Sequence, residues 1–304
     1  MATRQSPQGE PRRLERLASG RAAPLAAIAW KAVAAAELLG ERVVDGLSRG
    51  PTATGDMGAK VTALVKTFER PRTLRRMLAS LRRFYPDLPV VVVDDSRAPR
   101  PLDDPLVQTV TMPFDVGLSA GRNEGLRHIT TPYVLLLDDD FVIHRGTRIE
   151  TAVLALEADE RLDIVGGKVV DLPLFRVMGD RDGVLLPSDS RPLVPYDTLV
   201  AGLPVRRNVA NFFVARVASL QRVGWDEEMP MAEHTDFFTR ACGVLVTAYD
   251  DALSVLHAGT PFDRPYMGHK DENVASGHAA LARKYIGEGP SAPAGDDTTE
   301  RSRP

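Results

Sequence analysis

The sequence predicts an α/β protein built on a mostly parallel sheet flanked by helices. Short apolar, strand-forming runs recur at 61–65 (VTALV), 90–93 (VVVV) and 133–137 (YVLLL), as in strands covered on both faces. The segments between them carry apolar residues at helical spacing, so strand, helix and strand follow within about thirty residues. Such units join through right-handed crossovers into a parallel sheet. The chain has 304 residues, 43% of them hydrophobic and 26% charged. That fits one large globular domain with appendages and excludes a fibrous or wholly disordered chain.

The elements follow in order. Residues 1–59 form an N-terminal helical extension and linker. From Arg21 the chain reads RAAPLAAIAWKAVAAAELLGERVV. Its longest uncharged run, 22–30, is short of the roughly 20 residues a spanning helix needs. Arginines before an Ala-rich stretch imitate a signal peptide, but the helical pattern continues past Lys31. Leu25, Ile28, Val33, Leu38 and Leu39 make a stripe expected to pack on the body or on a second copy as a homodimer. Peripheral membrane contact is the alternative. Residues 49–59 are loop-like, 60–286 form the body, and 287–304 are expected to be a disordered tail.

Within the body, the strand at 61–65 leads to a helix with Leu74, Met77, Leu78 and Leu81 on one face. Arg75, Arg76, Arg82 and Arg83 form its solvated face. Pro89 opens the valine strand. A glycine turn opens a helix at 117–129, the strand at 133–137 follows, and then come a helix at 147–159 and a strand at 162–170 carrying Gly166-Gly167. Residues 172–204 are expected to be a long loop near the site, and 259–269 a mobile flap.

Three strands end in polar residues: Lys66-Thr67, Asp94-Asp95 and Asp138-Asp139-Asp140. In open α/β sheets ligands bind at that edge. Clustered carboxylates repel unless a cation joins them, which points to a divalent metal carrying a phosphate-bearing ligand. One such loop alone is as often a cap or turn. Thirty-eight basic against 41 acidic residues, a net charge of −3, give no footprint for nucleic acid. A single cysteine, Cys242, excludes an internal disulfide and a cysteine-based zinc site, and suggests a cytoplasmic protein.

Two enzyme classes place aspartates after an apolar strand. Haloacid-dehalogenase-type phosphatases use D-x-D-x-[TV], which Asp138, Asp140 and Val142 match, with Lys168 and Asp250-Asp251 as later partners. That reading leaves Asp94-Asp95 unused and puts the nucleophile strand late in the chain. Metal-dependent nucleotide-sugar glycosyltransferases use every part. The ordered stretches VKTFERPRTLRRMLASLRRFYPDLPVVVVDDS (65–96), MPFDVGLSAGRNEGL (112–126), TPYVLLLDDDFV (131–142), LDIVGGKV (162–169), NVANFFVARVASLQRVGWDEEM (208–229), AEHTDFF (232–238) and LHAG (256–259) carry a resemblance. The body resembles a GT-A-fold, Rossmann-like glycosyltransferase of the family-2-like superfamily. Within it the match is to the β-1,4-N-acetylgalactosaminyltransferase (GM2/GD2 synthase-like) group.

The resemblance implies an inverting transfer from a UDP-sugar donor, with N-acetylgalactosamine the leading sugar, to a glycan, lipid-linked or small-molecule acceptor. It implies that Thr67, Glu69, Arg70, Asp94 and Asp95 hold the uridine end. Gly117 lets the backbone approach, Arg122 and Asn123 steady the diphosphate, and Asp138 and Asp139 reach the ribose or metal waters. Asp140, with Asp138 and His257, is expected to bind Mn²⁺ or Mg²⁺. The base falls within Glu233-His234-Thr235-Asp236. Alignment on the Phe pair selects Asp236, with Glu233 second and His234 orienting. Phe212 is expected to be core, and Trp225 either core or acceptor-facing. A non-catalytic UDP-sugar-binding subunit is the alternative outside enzymology.

Overall fold

The computed structural model describes residues 23–47, 56–178, 185–229 and 231–285. The expected tail at 287–304 and most of the linker lie outside them. The strands are β1 (Val61–Thr67), β2 (Val90–Asp94), β3 (Val107–Thr111), β4 (Tyr133–Asp138), β5 (Phe141–Val142), β6 (Ile164–Asp171), β7 (Arg176–Met178), β8 (Leu199–Val200), β9 (Leu203–Pro204), β10 (Phe213–Arg216) and β11 (Thr247–His257). The helices are α1 (Ala23–Leu47), α2 (Met57–Lys60), α3 (Pro71–Phe84), α4 (Leu118–Arg127), α5 (Ile149–Ala158), α6 (Val217–Val223), α7 (Glu233–Ala241) and α8 (Arg264–Tyr285).

The main sheet has the order β3-β2-β1-β4-β10-β6-β11-β5, with β7 paired to β6. The first four strands in this order are parallel. β10 is antiparallel to both β4 and β6, so β6 and β11 again run with β4. The result is a mixed, mostly parallel sheet whose β1, β2, β4, β6 and β11 all end at one edge. Register fixes who meets there: Thr67 faces Asp94, Lys66 faces Asp138, and His257 faces Asp171.

Period-two alternation splits the core into two layers. Val61, Ala63 and Val65 of β1 pack with α3 and α5, while Leu64 packs with α4, α6 and α7. α3 starts at Pro71, where a missing N–H costs nothing, and buries Leu74, Met77, Leu78 and Leu81. Each such side chain contributes roughly 1.5–3 kcal/mol. α4 lies close on the sheet because Gly125 has no Cβ; one placed there would sit 2.2 Å from Leu64 Cδ1.

Several expectations change. The end of the expected linker is the helical turn α2, capped by Asp56 Oδ1 accepting from Ala59 N at 3.2 Å. The expected loop at 172–204 contains β7, folded back on β6, and a β8–β9 hairpin; 179–184 lie outside the described residues. The expected flap is a loop only as far as Asp263, because Arg264 begins α8. Helix α1 meets the body through Trp30, which stands edge-on to Phe262, and through Leu38 against Leu172 and Leu256. Its opposite face leaves Leu25 and Ile28 at 65–73% exposure. The window Ala23–Gly40 has a mean hydropathy of 1.3, enough by length and composition to cross a membrane.

Candidate active site at the carboxyl edge of the sheet

The polar strand ends meet in one crevice. Arg70, just past β1, donates to Asp139 and, at 2.9 Å, to Asp140 Oδ2. Its Nε is shielded and has no partner, leaving one N–H for a ligand. Thr67 Oγ1 donates to Asp139 Oδ2 at 2.7 Å. Burial pushes Asp139 above the usual carboxylate range. Burial would raise Asp140 too, but His257 and Arg70 outweigh it and hold that carboxyl low. His257 Nε2 stands 3.3 Å from Asp140 Oδ2, and Nδ1 is 2.9 Å from Asp171 Oδ1. Burial alone would lower the imidazole; the two carboxylates push it up to about 10.

Arg122, 1% exposed, rises from α4 to join Glu233, the first residue of α7, to Asp138 Oδ1 at 3.3 Å. Asn211 Nδ2 also donates to Glu233, at 3.4 Å, and Asn211 Oδ1 pairs with His234 Nδ1 at 2.7 Å. Glu233 therefore belongs to the same network as the aspartate run.

Other expected residues have separate partners. Asp95 is fully buried, paired with Lys66 and accepting from Gly117 N at 3.3 Å. It anchors the turn into α4 rather than facing a ligand. Gly117 takes φ 91° there, a conformation open to glycine. Asp94 Oδ1 caps Ser96 N at 2.9 Å. Glu69, at φ 54°, accepts from Arg97 N at 2.7 Å. Asn123 ties down the loop after α6, donating to Trp225 O at 2.8 Å and accepting from Trp225 N at 2.9 Å. Asp236 is fully buried, and its oxygens are taken by Arg240 Nε (2.7 Å), Lys284 Nζ (2.8 Å) and Tyr285 OH (2.8 Å). Trp225 is core, stacked on Phe237 at 5.1 Å, and Phe212 is core as expected. The phosphatase partners do not join the crevice: Lys168 pairs with Asp251, and Asp250 with Thr151, at a mid-strand irregularity of β11.

Sequence reasoning missed Asp171, Tyr266 and the pair Lys284–Tyr285, while Asn211, expected on the acceptor and sugar side, pairs with Glu233 and His234. Asp171 was open to the strand-end rule, since it closes β6 beside His257. Tyr266, Lys284 and Tyr285 belong to α8, whose weak periodicity hid the helix. The Tyr266 ring lies 3.9 Å from the Arg70 guanidinium, and Asn273 donates to Asp115 at 3.2 Å. α8 thus roofs a cavity of ≈ 50 Å³ bordered by Lys66, Thr67, Arg70 and Gly117.

The donor chemistry fits a hard divalent cation. Among the described residues no three His, Cys, Asp or Glu side chains form a ready cage. Mn²⁺ and Mg²⁺ in nucleotide sites commonly use one or two protein groups and complete their shell with phosphates and water. Asp140 and His257 supply such a pair, and the Asp171 carboxylate on Nδ1 is the outer contact that orients a ligating histidine.

Residues 62–172 match the family described as Glycosyl transferase family 2. Mouse beta-1,4 N-acetylgalactosaminyltransferase 2 is 38% identical over 200 residues, 65% of this chain and 39% of the relative. Human beta-1,4 N-acetylgalactosaminyltransferase 1 is 36% identical over 212 residues, covering 67% and 40%. Pre-mycofactocin glycosyltransferase of Mycobacterium tuberculosis is 29% identical over 199 residues, covering 62% and 40%. The chain spans about two fifths of the length of these curated relatives. The crystal structure of S. aureus TarS 1-349 shares the fold, with a TM-score of 0.50 at 18% identity, over 74% of this chain and 73% of that one. The body has a GT-A-like α/β fold, and its segment 62–172 is similar to glycosyl transferase family 2 domains.

Proposed function

We propose that this protein is an inverting, metal-dependent glycosyltransferase that moves a sugar from a UDP-sugar to an acceptor hydroxyl. N-acetylgalactosamine is the first donor sugar to try, since two relatives are named for its transfer. The observation that carries the reading is the meeting of Asp138, Asp139 and Asp140 with Arg70, His257 and the Arg122–Glu233 pair on one sheet edge. No single motif in the chain would be enough.

Thr67, Arg70 and Asp94 face the nucleoside end, and the N-terminus of α4 at Gly117 offers backbone N–H groups to the diphosphate. The 50 Å³ cavity is smaller than a nucleotide sugar needs, so the first turns of α8 move aside when donor enters. Asp140 and His257, with Asp138 beside them, would hold Mn²⁺ or Mg²⁺, which when bound neutralises the leaving diphosphate. The acceptor oxygen attacks the anomeric carbon from the face opposite the diphosphate. The carbon–oxygen bond to UDP breaks, and Glu233 takes the hydroxyl proton. Glu233 is preferred over Asp236 as base because Arg122 ties it to Asp138, whereas Asp236 is consumed in holding α8.

Calorimetric titration with UDP, with Mn²⁺ and then with a chelator, tests the reading. Metal-dependent binding that weakens in Asp140→Ala supports it, and UDP-N-acetylgalactosamine is then the first donor to assay. No UDP binding in either condition overturns it. Binding without turnover of any donor favours a non-catalytic nucleotide-sugar subunit.

A further inference from the structure

A second cavity, ≈ 960 Å³, lies outside the crevice between α1 and the body. Trp30, Ala34 and Leu38 of α1 form one wall; Phe262 and the start of α3 form the other. Its size is at the top of the range for small-molecule sites. Arg72 and Arg76 line it beside these apolar groups. Two shielded polar atoms on its lining, Trp30 Nε1 and Thr260 Oγ1, have no hydrogen-bond partner. Buried donors of this kind are normally satisfied, so the wall awaits an acceptor as well as an apolar body.

The surroundings indicate where such a ligand comes from. The outer face of α1 exposes Leu25 (73%) and Ile28 (65%), and Leu39, at the edge of the groove, is 62% exposed. A helix apolar on both faces is one covered on both. The preceding segment carries Arg4, Arg12, Arg13, Arg16 and Arg21 against Glu10 and Glu15, and α3 adds the exposed Arg72 and Arg75. Apolar residues on a helix beside arginines match an anionic lipid surface.

We propose that the groove between α1 and α3 binds the hydrocarbon chain of an anionic bilayer lipid. The head group is met by Arg72 and Arg76 and accepts from Trp30 Nε1 and Thr260 Oγ1. Lys31, also on the rim, adds a further cation. The site adjoins the crevice without merging with it: Ala258 donates to Asp140 O at 3.0 Å and accepts from Arg76 at 2.9 Å.

The probe is dodecyl phosphate below its micellar concentration, titrated into the full chain by calorimetry and by tryptophan emission. Saturable binding of one molecule per chain is expected, with a blue shift that disappears in Trp30→Phe. Ala34→Trp, which fills the groove from a partly exposed helix position, weakens binding at least about tenfold, the factor that ~1.4 kcal/mol represents. Arg72→Ala, at an exposed position remote from the core, narrows the preference for dodecyl phosphate over dodecanol. Flotation with phosphatidylcholine vesicles, with and without phosphatidylglycerol, is expected to recover the protein on the anionic ones and less of Ala34→Trp.

No saturable binding, or binding unchanged in a folded Ala34→Trp protein, overturns the proposal. So does a dimer in sedimentation that Ala34→Trp dissociates, which would assign the groove to a second copy. Equal affinity for dodecanol and dodecyl phosphate, indifferent to Arg72→Ala, removes the anionic head. UDP titration on the same sample reads the crevice separately, so either reading can fail while the other stands.

Discussion

The guanidinium of Arg122 holds Glu233 and Asp138 together, and its own side chain is almost wholly enclosed. One cation thereby sets the spacing between the aspartate run on β4 and the acid that opens α7. With Glu233 as base, Glu233→Gln keeps the shape and loses the proton acceptor. The expected result is a drop in kcat of ~10²–10⁴-fold with UDP affinity near wild type. Turnover assays beside calorimetry check it, and an active Glu233→Gln enzyme would remove Glu233 from the chemistry.

Removing Arg122 acts on stability as well. Arg122→Met leaves Glu233, 4% exposed, without its countercharge and takes the guanidinium away from Asp138. Breaking one side of a buried pair costs ~3–5 kcal/mol. Urea denaturation should show that loss, and Arg122→Lys should recover only part of it because an ammonium cannot fork between two carboxylates.

Asp236 is expected to behave differently. It fixes the C-terminal end of α8 through Lys284 and Tyr285, and the end of α7 through Arg240. Asp236→Asn removes the charge and keeps the shape, so it should cost ~1–3 kcal/mol and speed amide exchange near 278–285. Transfer measured well below the melting temperature should survive. An inactive variant with unchanged stability would return the base role to Asp236.

The contrast between those two acids shows what the sequence can carry. Both stand in the first turn of α7, and their surroundings alone distinguish them. Those surroundings come from α4, more than a hundred residues upstream, and from α8, nearly fifty downstream. The βαβ rhythm was legible because β2 and β4 are apolar at every position but their final aspartate, and β1 at four of its first five. β3, exposed along the sheet edge, carried no such signal. β10 has only the four residues Phe213–Arg216, and its antiparallel insertion between β4 and β6 depends on pairing that no local pattern encodes. The aspartate run was legible as a ligand edge. That Asp95 turns inward to Lys66 while Asp139 and Asp140 face Arg70 was not.

Gly167 on β6 and Gly125 on α4 have packing reasons that predict unequal costs. A Cβ on Gly167 would lie 2.6 Å from the backbone oxygen of Leu253, which cannot rotate away. At Gly125 the nearest atom is a leucine methyl, at 2.2 Å, which can move. Alanine gains ~0.5–1 kcal/mol over glycine in regular structure, but overpacking costs ~1–3 kcal/mol. Both substitutions should destabilise, Gly167→Ala more than Gly125→Ala, as thermal melts of the two variants would reveal.

His234 gives the protein an acid-sensitive element apart from the candidate metal ligands. Burial holds its imidazole down, to about 4 from the usual 6.5; Glu233 pulls it upward and Arg122 reinforces the drop. Its Nδ1 is engaged by Asn211, and Phe238 stands edge-on at 5.0 Å, so the ring is enclosed by α7 itself and by the segment before β10. Above pH 6.5 the ring is neutral both folded and unfolded, and it makes no pH-dependent contribution. Between pH 6.5 and 4 the unfolded chain takes up a proton that the folded protein refuses, so stability falls as pH falls. The loss attributable to this ring approaches ~3 kcal/mol at its lower end. Carboxylates titrate in part of the same range, so the comparison must be with His234→Gln, which has no proton to take up. The wild type should lose more urea resistance than His234→Gln between pH 7.5 and 4.5. Parallel losses in the two proteins would mean that the imidazole accepts a proton in place, and that Glu233 outweighs burial around it.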